Sequence, residues 1–172
     1  MYKKIALILT CIFLAVILIF AGCEPGTRVK GVRERNKLKS EPQIIVELFN
    51  NQDKSLGLEE YITGVVAGEM KPDWPENAYA AQAIIARTFA LKYMSDNQTN
   101  RISGSYQFAQ EYKPENISSE IQEAVKKTRG EVLVYKDEYI NAWFHASAAG
   151  QTTSAEVGLG YEQEEPPYII SV

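Results

Sequence analysis

The segment from Ala78 to Leu91 constrains the fold more than any other. Ala80, Ala81, Ala83, Ile84, Ile85, Ala86, Thr88, Phe89, Ala90 and Leu91 leave it almost no polar side. A helix that is apolar all round must lie inside a domain with other elements packed about it. Asp73-Trp74-Pro75-Glu76 predicts its start, with Asp73 as N-cap, Glu76 three residues on and a proline in the first turn. The helix is expected to run to about Met94. Only Gln82 and Arg87 interrupt it strongly. An arginine there cannot be buried without an acceptor.

A second helix precedes it. Leu58, Ile62, Val65 and Glu69 follow helical spacing, Tyr61 and Val66 widen the stripe, and Lys71-Pro72 ends it. Glu69 therefore closes an apolar face. A carboxyl that loses hydration there has its pKa raised and can hold a proton near neutral pH as a general acid. Glu59, Glu60 and Glu76 read as solvated helix charge. Glu69 is the nearest plausible acceptor for Arg87, and two readings stay open: a buried ion pair holding the helices together, or a catalytic carboxyl tuned by the arginine.

The remaining elements make the domain α+β, two packed helices carrying the site plus antiparallel strands that include a hairpin. Gln43 to Phe49 reads as a strand. Ser95 to Ser105 is polar and turn-like, and Tyr106-Gln107-Phe108 is a short extended piece. Asn116 or Ser118 caps a helix with Ile121, Ala124 and Val125 inward, ended at Gly130. Val132–Tyr135 and Tyr139–His145 form the hairpin, joined through Lys136-Asp137-Glu138. Period two puts Asn141, Trp143, His145 and Ser147 on one polar and aromatic face, suited to sugar contact or to packing. Ala148 to Ser154 is a polar loop. The ending, Pro166-Pro167-Tyr168-Ile169-Ile170-Ser171-Val172, is an apolar extended segment with no polar tail, the mark of a domain cut short.

Lys3 and Lys4 precede an apolar run from Ile5 to Ala21, then Gly22, Cys23 and Glu24-Pro25-Gly26. Residues 1–23 are thus expected to be a membrane anchor or a lipoprotein signal, with Cys23 as the lipidation candidate. Residues 24–41, with Arg28, Lys30, Arg33, Arg35, Lys37 and Lys39, read as a basic flexible tether. That cluster would by itself prefer the cytoplasmic side. The folded domain begins at residue 42.

Several chemistries are excluded. Eighteen basic against 22 acidic residues give a net charge of −4, unlike a nucleic-acid binder. The two cysteines, Cys11 and Cys23, lie in the N-terminal region, so the folded part has no disulfide or thiolate metal site. His145 is the only histidine; it has no orienting acid for a pair with Ser147 and too few partners for zinc. No phosphate loop is present. Neither metal nor cofactor is expected.

Leu58-Glu59-Glu60-Tyr61-Ile62-Thr63-Gly64-Val65-Val66-Ala67-Gly68-Glu69-Met70, then Trp74-Pro75, then Ala78 to Leu91, resembles the stage II sporulation protein D family, which includes the amidase-enhancer proteins. The likeness resumes at Ala124 to Tyr135, at Ala142 to Thr152 and at Pro167 to Val172. It implies a peptidoglycan lytic transglycosylase, anchored at the cell membrane with its domain outside, acting during engulfment in spore formers. The expected partners are glycan strands stripped of stem peptides and the amidase that strips them. Glu69 falls on the family's catalytic glutamate and Arg87 on its essential arginine, while Tyr168 falls on a family tyrosine whose lysine neighbour is Ile170 here. Such an enzyme can use one carboxyl: the C6 hydroxyl attacks the anomeric carbon and leaves a 1,6-anhydro end, where hydrolases use two carboxylates. Asn141, Trp143, His145, Ser147, Gln151 and Thr152, together with Tyr168, are then candidates for sugar contact. The zinc held by some members needs cysteines, where this chain has Ala148 and Ala149. A reading from another class is a non-catalytic wall-binding module that stimulates the amidase.

Overall fold

A computed structural model of the chain describes residues 41–48, 52–107, 109–145, 147–148, 150–164 and 166–169. The expected anchor, Cys23 and nearly all of the tether lie outside the described residues. No helix among the described residues is long and apolar enough to cross a membrane. The architecture is mixed α+β, as the sequence predicts. In order it comprises β1 (Gln43–Glu47), β2 (Lys54–Gly57), α1 (Leu58–Glu69), α2 (Glu76–Asn97), β3 (Arg101–Ser103), a 3-10 turn (Pro114–Asn116), α3 (Ser119–Lys127), β4 (Val134–Tyr135), β5 (Glu138–Tyr139) and α4 (Ala155–Leu159).

Strand β1 is central in a three-stranded sheet ordered β2-β1-β3. It pairs antiparallel with β2 and parallel with β3, Val46 lying opposite Lys54 on one side and Ile102 on the other. The parallel pair and two of its three strands were not expected. β2 holds one buried apolar residue, Leu56, and β3 one, Ile102; runs that short give no alternation to read. Ile44 and Val46 alternate onto the buried face of β1 and join the core with Ile62, Val65 and Ile102.

Helices α1 and α2 form an antiparallel pair closed by residues 70–75. Gly57, the N-cap of α1, has no side chain to offer. Glu41 supplies the cap from a distance, its Oε1 accepting from the Glu59 N–H at 2.9 Å. For α2 the expected cap is corrected: Pro75 is the N-cap without a side-chain bond, and Asp73 sits at φ 67 in the turn before it. The helix also runs three residues past Met94 before Gln98 stops it at φ 49. As its composition demands, α2 is central, packing against α1, α3, β3 and β5. Helix α3 starts at the predicted Ser118 cap, whose Oγ accepts from the Ile121 N–H at 3.3 Å.

The hairpin is shorter than expected. Lys136 and Asp137, at φ 51 and 66, make a two-residue turn, and only Val134–Tyr139 and Tyr135–Glu138 pair. Beyond it the Trp143 N–H donates to the Asn141 carbonyl at 3.0 Å, a three-residue turn that ends the alternation. The strand face of Asn141, Trp143, His145 and Ser147 is therefore not formed. Tyr106 and Gln107 lie in a turn, not an extended piece, and Phe108 is outside the described residues.

Candidate active site

Glu69 is the last residue of α1. It is half-buried, because the stripe it closes ends with the helix. One carboxylate oxygen accepts the Glu111 backbone N–H at 2.9 Å. Burial raises the pKa, the Glu111 N–H opposes it, the nearby Glu111 carboxylate adds to the rise, and Lys113 lowers it; the net direction is upward. The Glu111 carboxylate is itself engaged by Lys113 Nζ at 2.8 Å.

Two glycines bring residues 109–113 to this carboxyl. Gly64 and Gly68, one helical turn apart, open a groove on α1. The Lys113 N–H donates to the Gly64 carbonyl at 3.0 Å, the Tyr112 ring lies over Gly64, and the Glu111 carbonyl sits against Gly68. Tyr112 also stacks on Tyr61 at 5.8 Å between centroids, and the Tyr61 hydroxyl donates to Gln110 at 3.3 Å. A methyl at Gly68 would fall inside contact distance of the Glu111 backbone, and one at Gly64 inside that of the buried Tyr112 ring. Gly68→Ala is therefore expected to cost about 1–3 kcal/mol of unfolding free energy and to release the Glu111 contact. Gly64→Ala, which drives a methyl into the Tyr112 ring stacked on Tyr61, should also be destabilising in the same denaturant titration; no loss in either variant would contradict this packing.

The raised Glu69 pKa has a stability consequence. A carboxyl that binds its proton more tightly in the folded than in the unfolded chain makes stability fall as pH rises from the ordinary glutamate value through the raised one. Glu69→Gln keeps an acceptor for the Glu111 N–H. It should melt above the wild type at pH 7, with the gap closing below about pH 4. Equal melting temperatures at pH 7 would contradict the shift.

Arg87 does not reach Glu69; its partner is Glu59. Arg87 is fully buried and Glu59 is 8% exposed. Arg87 Nε and Nη2 donate to the two Glu59 oxygens at 3.0 and 2.7 Å, and Nη1 donates to the Ala83 and Glu131 carbonyls at 3.3 and 2.9 Å. In a helix pair closed at 70–75, the residue facing the middle of α2 comes from the start of α1, while Glu69 lies beside the beginning of α2. Glu59 is thus corrected from solvated charge to buried acceptor. A helical signal was available: Glu59 precedes buried Val66 by seven residues.

The pair also holds the chain that leads to the hairpin. Glu59 Oε1 accepts from the Gly130 N–H at 3.2 Å, and Thr88 Oγ1 accepts from the Leu133 N–H at 2.9 Å. Beyond the hairpin, Trp143, His145, Thr152 and Tyr168 line one cavity of about 300 Å³, which neither Glu69 nor Arg87 lines. Trp143 meets the Tyr161 ring edge-on at 4.9 Å, and the Asn141 N–H donates to the Tyr168 hydroxyl at 3.0 Å. Of the other sugar-contact candidates, Ser147 and Gln151 do not line this cavity, and Ile170 is outside the described residues. No group of three or more histidine, cysteine, aspartate or glutamate side chains able to hold a metal occurs among the described residues.

Helices α1 and α2, with the half-buried Glu69 and the buried Glu59–Arg87 pair, fall within residues 51–135, which match the model of the Stage II sporulation protein family. The chain belongs to that family, and the resemblance carried by its two helices holds. It is 37% identical to an uncharacterised protein of Brachyspira hyodysenteriae over 61% of this chain and 29% of that one. It is 33% identical to the "Stage II sporulation protein D" of Bacillus amyloliquefaciens over 87% of this chain and 49% of the relative. It is 27% identical to the "Amidase enhancer" of Bacillus subtilis over 64% of this chain and 14% of the relative. The chain thus spans about half or less of the length of these curated relatives.

Proposed function

We propose that this protein is a peptidoglycan lytic transglycosylase acting in cell-wall remodelling during sporulation, with Glu69 as its one acid and base. The supporting observation is the Glu69 carboxyl itself, half-buried at a helix end, held by the Glu111 N–H and raised in pKa by burial. In this reading protonated Glu69 gives its proton to the glycosidic oxygen as the bond to the anomeric carbon breaks. The carboxylate then takes the proton of the sugar's own C6 hydroxyl as that oxygen closes on the anomeric carbon. No water enters the products, and Glu69 ends as it began. Arg87 serves as a positioning residue, since it is fully buried and four of its N–H groups are turned to Glu59 and the two carbonyls.

The substrate is glycan already stripped of stem peptides, and the partner is the amidase that strips it. The relative named "Amidase enhancer" supports that pairing. Residues 1–23 would hold the chain at the membrane, with residues 24–41 as tether and the domain from residue 42 outside. Trp143, His145, Thr152 and Tyr168 are the sugar-contact candidates with a shared cavity to support them. Digestion of peptide-free glycan by the full chain, followed by mass spectrometry, tests the reaction class. The reading predicts 1,6-anhydro ends, each lighter by one water than a hydrolytic end; reducing ends would overturn it.

A second reading rests on the same relative's name: a wall-binding module that stimulates an amidase without cutting glycan. It predicts that Glu69→Gln stimulates the amidase as well as wild type does while neither releases anhydro ends.

A further inference from the structure

A second cavity, of about 450 Å³, lies where α1 gives way to α2. It falls in the size range of small-molecule sites. Ala67 and Met70, which flank the half-buried Glu69 in the chain, form part of its wall. Glu69 itself does not line the cavity, but the segment that holds it through the Glu111 N–H runs on to Asn116 and Ser118, which do. One short stretch of chain therefore connects the carboxyl to this cavity.

Its aromatic wall is Trp74, 37% exposed. The tryptophan sits on a fixed turn: its backbone N–H donates to the Tyr79 hydroxyl at 3.2 Å, and that hydroxyl donates to the Lys71 carbonyl at 3.1 Å. Asp73 completes the turn at φ 67. The lining also includes Asp73, Glu120, Asn116 and Ser118, whose side chains can bond hydroxyls and an acetamido group, the Ser118 Oγ already accepting from the Ile121 N–H. An apolar ring beside several acceptors and donors suits the apolar face and polar edge of a pyranose. Among the described residues its lining carries two acids and no base, so an anionic ligand is disfavoured.

We propose that this cavity is a sugar subsite, in which a neutral N-acetylhexosamine of the glycan strand stacks on Trp74 while Asp73, Asn116 and Glu120 bond its polar edge. The assignment rests on the glycan-cleaving reading of Glu69 and deepens it. The acidic lining favours the strand's neutral N-acetylglucosamine over its carboxylate-bearing neighbour.

The test is a titration of the full chain in detergent with tri-N-acetylchitotriose, followed through the indole N–H signals of its two tryptophans, Trp74 and Trp143. The Trp74→Phe variant assigns them. A saturable shift of the Trp74 signal is expected. Asn116→Ala, which keeps that indole as reporter, should weaken the titration at least threefold while leaving the Trp143 signal in place as a check on folding. Trp74→Ala should weaken overall binding about tenfold. A shift confined to Trp143, unchanged affinity in both variants, or a Trp74 response to a lysine-containing peptide but not to the sugar would overturn the assignment. Because the readout is binding, failure here leaves the product analysis of glycan digestion standing, and failure there leaves this result standing.

Discussion

Replacing Glu59 by alanine is expected to remove about 3–5 kcal/mol of folding stability, the loss typical of stranding one member of a buried ion pair. The magnitude follows from what remains. Arg87 would keep its carbonyl partners at Ala83 and Glu131 but lose both carboxylate oxygens while fully buried. The Gly130 N–H would lose its acceptor as well. The damage should spread to the hairpin, because residues 130–133 are tied down by Glu59, Arg87 and Thr88. Denaturant unfolding measures the loss. Arg87→Ala alone should be similarly destructive, whereas replacing both residues by methionine should cost less than the two single changes together, since no charge is then stranded. A loss below about 1 kcal/mol for Glu59→Ala would place the pair with exposed ion pairs and contradict its structural role.

This pair also bears on how activity data at Arg87 should be read. Under the proposed function, an arginine with its donors turned inward would act through the scaffold, so its variants should lose activity in step with stability. Glu69 stands apart from that network, and its variants should separate the two quantities.

The helices were legible in the sequence because their signals are local. The apolar run at 78–91, the Lys71-Pro72 stop and the Ser118 cap each follow from neighbouring residues, and each is present in the fold. Glu69 was legible for the same reason, since its place on the α1 stripe sets its burial. What escaped was non-local. The parallel pairing of β1 with β3 joins residues more than fifty positions apart through a strand holding one buried apolar residue. The partner of Arg87 depends on where the helix pair closes, a matter of tertiary geometry. The turn at Asn141–Trp143 defeated period two because it breaks the backbone where the side-chain pattern continues unbroken. Gly64 and Gly68 stood in plain view, but their role needs the 109–113 segment that packs on them.

The largest effect on function is expected at Glu69. Glu69→Gln keeps the size of the side chain and an oxygen for the Glu111 N–H, yet cannot pass a proton to the glycosidic oxygen. Its rate on peptide-free glycan should fall by roughly 10²–10⁴, the usual contribution of a positioned acid or base, with melting temperature at pH 7 no lower than wild type. The proposed role further predicts that the rate of the unsubstituted chain falls as pH climbs past the raised pKa, because the donor must start protonated. The most direct measurement is therefore the release of 1,6-anhydro ends by wild-type and Glu69→Gln chains, followed by mass spectrometry at pH 7. The account predicts anhydro ends from the wild type and a near-complete loss in the folded variant; an unchanged rate in Glu69→Gln would contradict it.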